Sequence, residues 1–303
     1  MSEHQPAKRN LLSWIFISPA EPRLRAGWRL LLQTILMVIM GIVLTIITQP
    51  ILGRIFDPNL SLFVSQIMEL IIFGASIYIA RRFLDKRSFA SVGLKLDQTV
   101  LPDLLAGIGI TFMMMGLIYI LETSLGWLKF ESFAWQADTI ENVAVNVFAF
   151  FVVFILVGWN EELLSRGYHL QTVASGINLF WGMVISSAVF GLLHLGNPNA
   201  TWVSTAGIFF AGILLAYGYI RTGQLWLSIG MHVGWNFFEG VVFGFPVSGL
   251  DIYRLIRHQI QGPEIWTGGA FGPEAGLVVL PALVIGSVLI YLYTIKRTPT
   301  IEL

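Results

Sequence analysis

Three short polar motifs interrupt apolar segments of this sequence, and they contain the residues best suited to chemistry. The first is EELLSR, from Glu161 to Arg166. The second is FGLLH, which ends at His194, and the third is HVGWN, from His232 to Asn236. A charged side chain at membrane depth costs roughly 3 kcal/mol or more, so such residues usually have a partner and a function. The motifs therefore predict a polar site inside a membrane.

The first motif predicts one paired and one free carboxylate. On a helix, Glu162 and Arg166 are i,i+4 neighbours with the acid on the N-terminal side, which is the favoured orientation for an ion pair. Glu161 lies about 100° around the helix from Glu162, so it need not share that arginine. A free carboxylate withdrawn from water is suited to accept a proton from a water molecule. Glu161 is therefore the predicted general base.

The second and third motifs supply hydrogen-bond donors. His232 and Asn236 share one helical face at i,i+4, and Asn197 follows His194 by about one turn. Peptide hydrolysis requires preorganised donors at the developing oxyanion, each typically worth about 3–4 kcal/mol. The alternative at each position is an interhelical polar contact, which contributes about 0.6–2 kcal/mol. The adjacent acids of the first motif are poorly suited to that structural use, which favours chemistry.

A zinc site is the main chemical alternative. Two histidines and a glutamate are known catalytic zinc ligands, and His194, His232 and Glu161 would provide them. The HExxH pattern is absent from the sequence, so the prediction is a site with no metal and no cofactor. Glu69, in the second apolar segment, is predicted to be structural or on an access path. Glu239, one turn after the third motif, is predicted to support it.

The composition places the whole chain in lipid. Of 303 residues, 55% are hydrophobic and 12% are charged, and the mean hydropathy is +0.74. Soluble domains have about 25% charged residues. The net charge of zero argues against a nucleic-acid partner. The absence of cysteine excludes disulfides and thiolate metal sites.

Apolar segments long enough for a bilayer occur eight times. About 20 apolar residues span a membrane, and the segments lie near residues 30–52, 62–80, 101–121, 143–157, 179–195, 203–220, 225–245 and 277–293. The predicted fold is all-α, a polytopic membrane bundle of about eight transmembrane helices. The predicted organisation is a cytoplasmic N-terminal segment 1–29, a membrane domain 30–295 and a C-terminal tail 296–303.

The distribution of lysine and arginine predicts the orientation. Thirteen of these residues flank the segments on one side, and four lie on the other, namely Arg54, Lys129, Arg254 and Arg257. Cytoplasmic flanks carry the excess of positive residues. Both termini are therefore predicted to be cytoplasmic, in a multi-pass protein of the cell membrane.

The site requires a helix longer than its apolar segment. Glu161 and His194 are 33 positions apart, and they meet in one hairpin only if its turn lies near residues 175–178. The fourth helix must then run from Val143 through the first motif to about Thr172, which is about 45 Å at 1.5 Å per residue. That exceeds the roughly 30 Å hydrocarbon core. The site is predicted in the half of the membrane away from the turn, which is the outer half if the termini are cytoplasmic.

The motifs also resemble those of a known family. EExxxR, FxxxH and HxxxN, in this order on separate transmembrane helices, are similar to the three motifs of the CPBP family. These are the CAAX-protease and bacteriocin-processing enzymes, also called the Abi family, whose eukaryotic relative is the Ras-converting CAAX endopeptidase. The resemblance covers roughly residues 91–239, including SVGLKL ahead of the third helix, and it places a catalytic core at about 91–245.

The resemblance implies an all-α intramembrane glutamic protease that works without a metal. Glu161 would be the base that activates water, and His194 would help to hold that water. His232 and Asn236 would stabilise the oxyanion. Glu162 and Arg166 would brace the first motif. Asn197, which the sequence places one turn after His194, is a further predicted supporting residue.

The predicted function is endopeptidase activity on a membrane-associated peptide or protein tail, with the lipid bilayer as the other partner. One alternative is a non-catalytic membrane protein of the same fold, acting in bacteriocin immunity or as a scaffold. Another is a proton-coupled transporter that uses Glu161 and Glu162 as a relay. Transporters tend to contain internal repeats and broken helices, and no repeat is evident in the sequence.

Overall fold

The computed structural model describes residues 11–19, 21–52, 58–298 and 301. The predicted N-terminal segment 1–29 and the predicted C-terminal tail 296–303 lie partly outside these ranges. Arg54 lies outside them. The helices are α1 (Leu11–Phe16), α2 (Ala26–Leu52), α3 (Pro58–Ile79), α4 (Val100–Ser124), α5 (Ile140–Glu162), α6 (Gln171–Gly176), α7 (Leu179–Leu193), α8 (Trp202–Thr222), α9 (Trp226–Asn236), α10 (Glu264–Thr267) and α11 (Val279–Thr294). The strands β1 (Leu128–Phe133) and β2 (Ile256–Ile260) form one antiparallel pair.

The predicted all-α polytopic bundle is confirmed, but its predicted count of about eight spanning helices is too high. Six helical stretches of the described chain have the length and apolar composition to cross a membrane, namely Ala26–Pro50, Asn59–Leu84, Val100–Ser124, Ile140–Gly176, Leu179–Gly196 and Trp202–Thr222. The other two predicted segments form the shorter helices α9 and α11. Every residue of α9 is buried. Because neighbouring helices rather than lipid surround α9, it does not need the length of a spanning helix.

The predicted long helix is confirmed. Helix α5, a π-helical stretch Leu163–Leu170 and α6 form one continuous stretch, Ile140–Gly176, of 37 residues. The chain then reverses at the predicted turn, where the Asn178 side chain accepts a hydrogen bond of 3.0 Å from the Trp181 amide and begins α7. The π-helical stretch was not predicted. It contains Arg166 and directly follows Glu162, and π-bulges of this kind are common at functional sites.

Small residues allow α9 to approach α4 closely. A Cβ atom on Gly107 would lie 2.5 Å from the carbonyl oxygen of Leu227, and one on Gly230 would lie 2.3 Å from the carbonyl oxygen of Leu104. Glycine at a helix crossing lets two backbones touch, which is the usual way that membrane helices pack. This contact fixes the position of α9 along the axis of the bundle. It thereby also fixes the position of the third motif, which α9 contains.

The links between helices gather at two ends of the bundle. At one end, strands β1 and β2 join the link after α4 to the link after α9. At the other end, Arg29 donates to Ser175 Oγ at 2.7 Å, and Arg221 donates to the carbonyl oxygen of Thr294 at 3.0 Å. The links with the predicted excess of lysine and arginine therefore share the end opposite the sheet. The sequence-based topology places these same links on one side.

Candidate active site

The structure brings the three motifs together. Oε2 of Glu161, on α5, lies 3.8 Å from Nε2 of His194, just after α7. The same oxygen lies 3.6 Å from Nε2 of His232, on α9. All three side chains line one cavity of about 280 Å³, together with Asn197 and Asn236. The predicted meeting of Glu161 and His194 in one hairpin is confirmed.

The second carboxylate of the first motif is fully enclosed and has two partners. Oε1 of Glu162 accepts a hydrogen bond of 2.7 Å from Nη1 of Arg166 and lies 2.9 Å from Nδ1 of His232. The side chains of Glu162 and Arg166 are both 0% exposed. The predicted pair is therefore confirmed, whereas the contact between Glu162 and His232 was not predicted. Because the helix spacing within one motif gives no information about the other helix, only the tertiary structure reveals this contact.

Arg166 has further partners that offset its burial. Its Nη2 donates to the carbonyl oxygen of Gly212 on α8 at 3.0 Å, and its guanidinium carbon lies 4.4 Å from the centre of the Phe190 ring. A buried ion pair is tolerated when additional bonds of this kind satisfy the charges. The ring of Phe190, the first residue of the second motif, therefore contacts Arg166 of the first motif.

The hydrogen-bond partners determine which nitrogen of each histidine carries a proton. Nδ1 of His194 lies 2.8 Å from the carbonyl oxygen of Phe190, which can only accept, so Nδ1 of His194 is the donor. Nδ1 of His232 faces the carboxylate of Glu162 and is likewise the donor. In its neutral form, each ring would therefore present the lone pair of Nε2 to Glu161. In that state three acceptors converge on one point, and an additional proton on one of them would supply a hydrogen-bond donor.

The space between these three acceptors suits a water molecule. The separations of 3.6 and 3.8 Å are too long for direct hydrogen bonds. A water about 2.8 Å from each atom would bridge them. Such a water has two hydrogens for three acceptors, so it can bond all three groups only when one of them is itself protonated. No group of three or more His, Cys, Asp or Glu side chains within the described ranges has an arrangement that would hold a metal ion.

The remaining predicted residues occupy different places around the cavity. Asn236 is 7% exposed and lines the cavity one helical turn from His232. Asn197 also lines it, but its side chain is used to donate a 3.1 Å hydrogen bond to the carbonyl oxygen of Ser248. Glu69 lines the same cavity from α3, and Glu239 is completely buried.

One acidic residue of the site was missed by sequence reasoning. Glu274 is 5% exposed and lines the cavity, although it belongs to the long link between α9 and α11. Its Oε1 accepts from the indole nitrogen of Trp235 at 3.0 Å, and its Oε2 accepts from Ser248 Oγ at 2.6 Å. The link has no hydrophobic periodicity and no motif, so nothing in the sequence pattern distinguished this glutamate from a solvent-exposed one.

Comparison with known proteins identifies the motif-bearing region. Residues 143–238 match the family described as type II CAAX prenyl endopeptidase Rce1-like. The uncharacterized protein YyaK of Bacillus subtilis (strain 168) is 25% identical over 187 residues, which are 60% of this chain and 61% of that protein. The chain thus matches less than two thirds of that relative. The matched family region contains all three motifs, which confirms the resemblance that they indicated.

Proposed function

We propose that this chain, whose core matches the CAAX prenyl endopeptidase family, hydrolyses peptide bonds inside the membrane with water activated by Glu161. The substrate would be a membrane-associated peptide or protein tail. One observation carries this proposal. A carboxylate and the Nε2 atoms of two histidines, from three different helical segments, converge within 3.6–3.8 Å at a cavity in a membrane bundle.

In this mechanism Glu161 is the general base. Its side chain is 24% exposed and lines the cavity, while Oε2, the oxygen that faces the two histidines, is buried without a hydrogen-bond partner. As the water oxygen attacks the carbonyl carbon of the scissile bond, Glu161 accepts one proton from that water. When the tetrahedral intermediate collapses, the C–N bond breaks and Glu161 returns the proton to the leaving amine. The base is thereby restored without any net gain or loss of protons.

The roles of the two histidines differ because their fixed nitrogens have different partners. His194, whose Nδ1 donates to a neutral carbonyl, would accept the second hydrogen of the water at Nε2. His232, whose Nδ1 faces the carboxylate of Glu162, would be the ring that holds the additional proton. A protonated His232 donates from Nε2 to the developing oxyanion, and a donor of this kind is typically worth about 3–4 kcal/mol. This assignment satisfies all three acceptors around one water.

Asn236 would provide the second donor to the oxyanion, from the same face of α9 as His232. Glu162 and Arg166 would support the reaction without contacting the substrate. Glu162 fixes the His232 ring and favours its protonated form, and Arg166 balances the charge of Glu162 within the protein. Asn197 would support the reaction through its contact with Ser248. The cell membrane is the proposed location, with both termini in the cytoplasm.

Two other functions fit the observed geometry less well. A non-catalytic protein of the same fold would have no need for an intact Glu161, His194, His232 and Asn236 around one cavity. A proton-coupled transporter would use Glu161 and Glu162 in succession. However, Glu162 is enclosed and bonded to Arg166, which makes it a poor carrier of protons across the bundle. The observed geometry favours hydrolysis over both.

The most direct experiment is to identify cleaved peptides. The full chain would be reconstituted in liposomes with a library of membrane peptides, and the new termini would be detected by mass spectrometry for the wild type and for Glu161→Gln. New termini that require Glu161 support the proposal. Proton flux in the same liposomes without any cleavage would instead support a transporter, and the absence of both activities would favour a non-catalytic protein.

A further inference from the structure

The link that follows the third motif passes along the catalytic cavity. This link, residues 246–276 and called the strap below, includes strand β2, helix α10 and a short 3₁₀ turn at Pro273–Ala275. Ser248, Leu250 and Glu274 of the strap line the cavity. The strap therefore forms a wall of the candidate active site, although it lies beyond the region that matches the family.

Glu274 connects the strap to the third motif and, through Ser248, to the segment that follows the second motif. Its two oxygens accept from Trp235 and from Ser248, and Trp235 is the residue immediately before Asn236. The carbonyl oxygen of Ser248 in turn accepts from the side chain of Asn197. One carboxylate thus lies at the centre of a chain of hydrogen bonds that crosses the cavity wall from the end of α7 to α9.

Close backbone contacts keep the strap in place around this carboxylate. A Cβ atom on Gly207 of α8 would lie 1.8 Å from the carbonyl oxygen of Glu274. Gly249, at φ +85°, would place a Cβ atom 1.9 Å from the carbonyl oxygen of Pro198. At position 249 only glycine permits both the positive φ and the close approach, and at position 207 only glycine permits the close approach. The strap thereby lies directly against the segment after His194, so small displacements of the strap are transmitted to the site.

We propose that Glu274 is a positioning residue, which fastens the strap to Trp235 and so sets the distance between the second-motif and third-motif sides of the cavity. This proposal rests on the proposed function, since the groups that it positions are the proposed catalytic ones. Glu274 would act through Ser248 and Trp235 rather than by touching the substrate. Both oxygens of Glu274 already accept a hydrogen bond, which agrees with such a role.

Kinetics of the full chain in liposomes test the role in catalysis. A displacement of about 1 Å in a catalytic group can cost about 10²-fold in rate, so we expect Glu274→Ala to lower kcat by about that factor with little change in KM. Glu274→Gln keeps the shape and one acceptor, so we expect a smaller loss. The matched control is Glu122→Gln, because Glu122 is likewise buried, at 0% exposed, but does not line the cavity. We expect this control to retain the wild-type kcat.

A double-mutant cycle tests whether Glu274 acts through the strap. If it does, Ser248→Ala added to Glu274→Ala should cause no further loss of kcat, because interacting residues are not additive. Additive losses, or a wild-type kcat in Glu274→Ala, would overturn the proposal. A defect of KM alone would also overturn it, since that result indicates a contact with the substrate.

A labelling experiment tests the fastening without any need for proteolysis. The chain has no cysteine, so Leu250→Cys provides a single thiol on the strap. We expect Glu274→Ala and, more weakly, Glu274→Gln to accelerate its reaction with a water-soluble maleimide severalfold, while Glu122→Gln does not. Unchanged labelling in both Glu274 variants would contradict the proposal. If the wild type cleaved no peptide, the proposed function would fail, and the labelling rate would still decide whether Glu274 fastens the strap.

Discussion

Nδ1 of His232 lies 2.9 Å from Oε1 of Glu162, and Nε2 on the opposite edge of the same ring faces Glu161 at 3.6 Å. Two adjacent carboxylates of one motif therefore face opposite edges of one imidazole, and only Glu162 is within hydrogen-bond distance of it. The first contact fixes the orientation of the ring, because the hydrogen bond of one nitrogen determines the state of the other. The enclosed Glu162 thus orients the histidine, and Glu161, which has no hydrogen-bond partner at Oε2, remains available for water.

The buried pair should be essential for both stability and activity. Arg166→Ala leaves the carboxylate of Glu162 buried without its cation, and breaking a buried pair in this way typically costs about 3–5 kcal/mol. Glu162→Gln removes the charge that His232 faces, so it should lower activity as well as stability. Thermal unfolding of the purified variants in detergent, together with peptidase assays, measures both effects.

The matched control for the buried pair is Arg254→Ala. Arg254, whose side chain is 23% exposed, pairs with Asp251 of the strap, whose side chain is 79% exposed, and pairs with a partner in solvent contribute little. We therefore expect no measurable change in the unfolding temperature of this control. A Glu162→Gln protein with normal stability and no activity would instead place Glu162 directly in the chemistry.

Glu161→Gln should abolish proteolysis without altering expression or stability. The amide preserves the shape of the side chain but cannot accept the proton of the water, and general-base catalysis typically contributes about 10²–10⁴-fold. Glu69→Gln is the matched control, because Glu69 lines the same cavity from another helix. We expect this control to retain much more activity. Near wild-type turnover in Glu161→Gln would show that another group is the base.

The parts of the site that could be predicted from the sequence are those set by local spacing. The i,i+4 relation of Glu162 and Arg166 and the hairpin arithmetic that joins Glu161 to His194 depend only on helix geometry, and both are confirmed. The sequence also revealed the length of the helix through the first motif. These features do not depend on how the other helices pack.

The parts that were missed depend on contacts between distant segments. Glu274 bonds to Trp235 from 39 positions away through a link without periodicity. The π-helical stretch Leu163–Leu170 has no distinguishing composition. The number of spanning helices was overestimated because hydropathy does not distinguish a helix surrounded by lipid from one surrounded by protein. Burial of all of α9 explains one of the two excess segments. The other, α11, has only 16 residues, which is shorter than a spanning helix requires.

Chelation should leave proteolysis unchanged if Glu161 alone activates the water. Two histidines and a glutamate are also the residue types of a known class of catalytic zinc site, so the experiment separates two kinds of chemistry. The assay compares the wild type with and without 1,10-phenanthroline, using the non-chelating 1,7-phenanthroline as the control. Loss of activity with the chelator alone, restored by added zinc, would change the assignment to a metalloprotease.

Cysteine labelling should determine both the orientation of the bundle and the depth of the site. The cysteine-free chain allows single substitutions at Lys129 in β1, at Gln98 at the opposite end of the bundle, and at Ser165. The first two positions are exposed, whereas Ser165 is 2% exposed within the long helix. With cytoplasmic termini, an impermeant maleimide added to intact cells should label Lys129→Cys but not Gln98→Cys.

Permeabilisation should then expose Gln98→Cys to the reagent, while Ser165→Cys should remain unreactive because protein encloses it on the long helix. The reverse pattern, with Gln98→Cys labelled in intact cells, would place the termini outside and the active site in the inner half of the membrane. If Ser165→Cys reacted as freely as Gln98→Cys, the first motif would be an exposed loop. That result would contradict the enclosure of Glu162 and Arg166 on which the proposed mechanism depends.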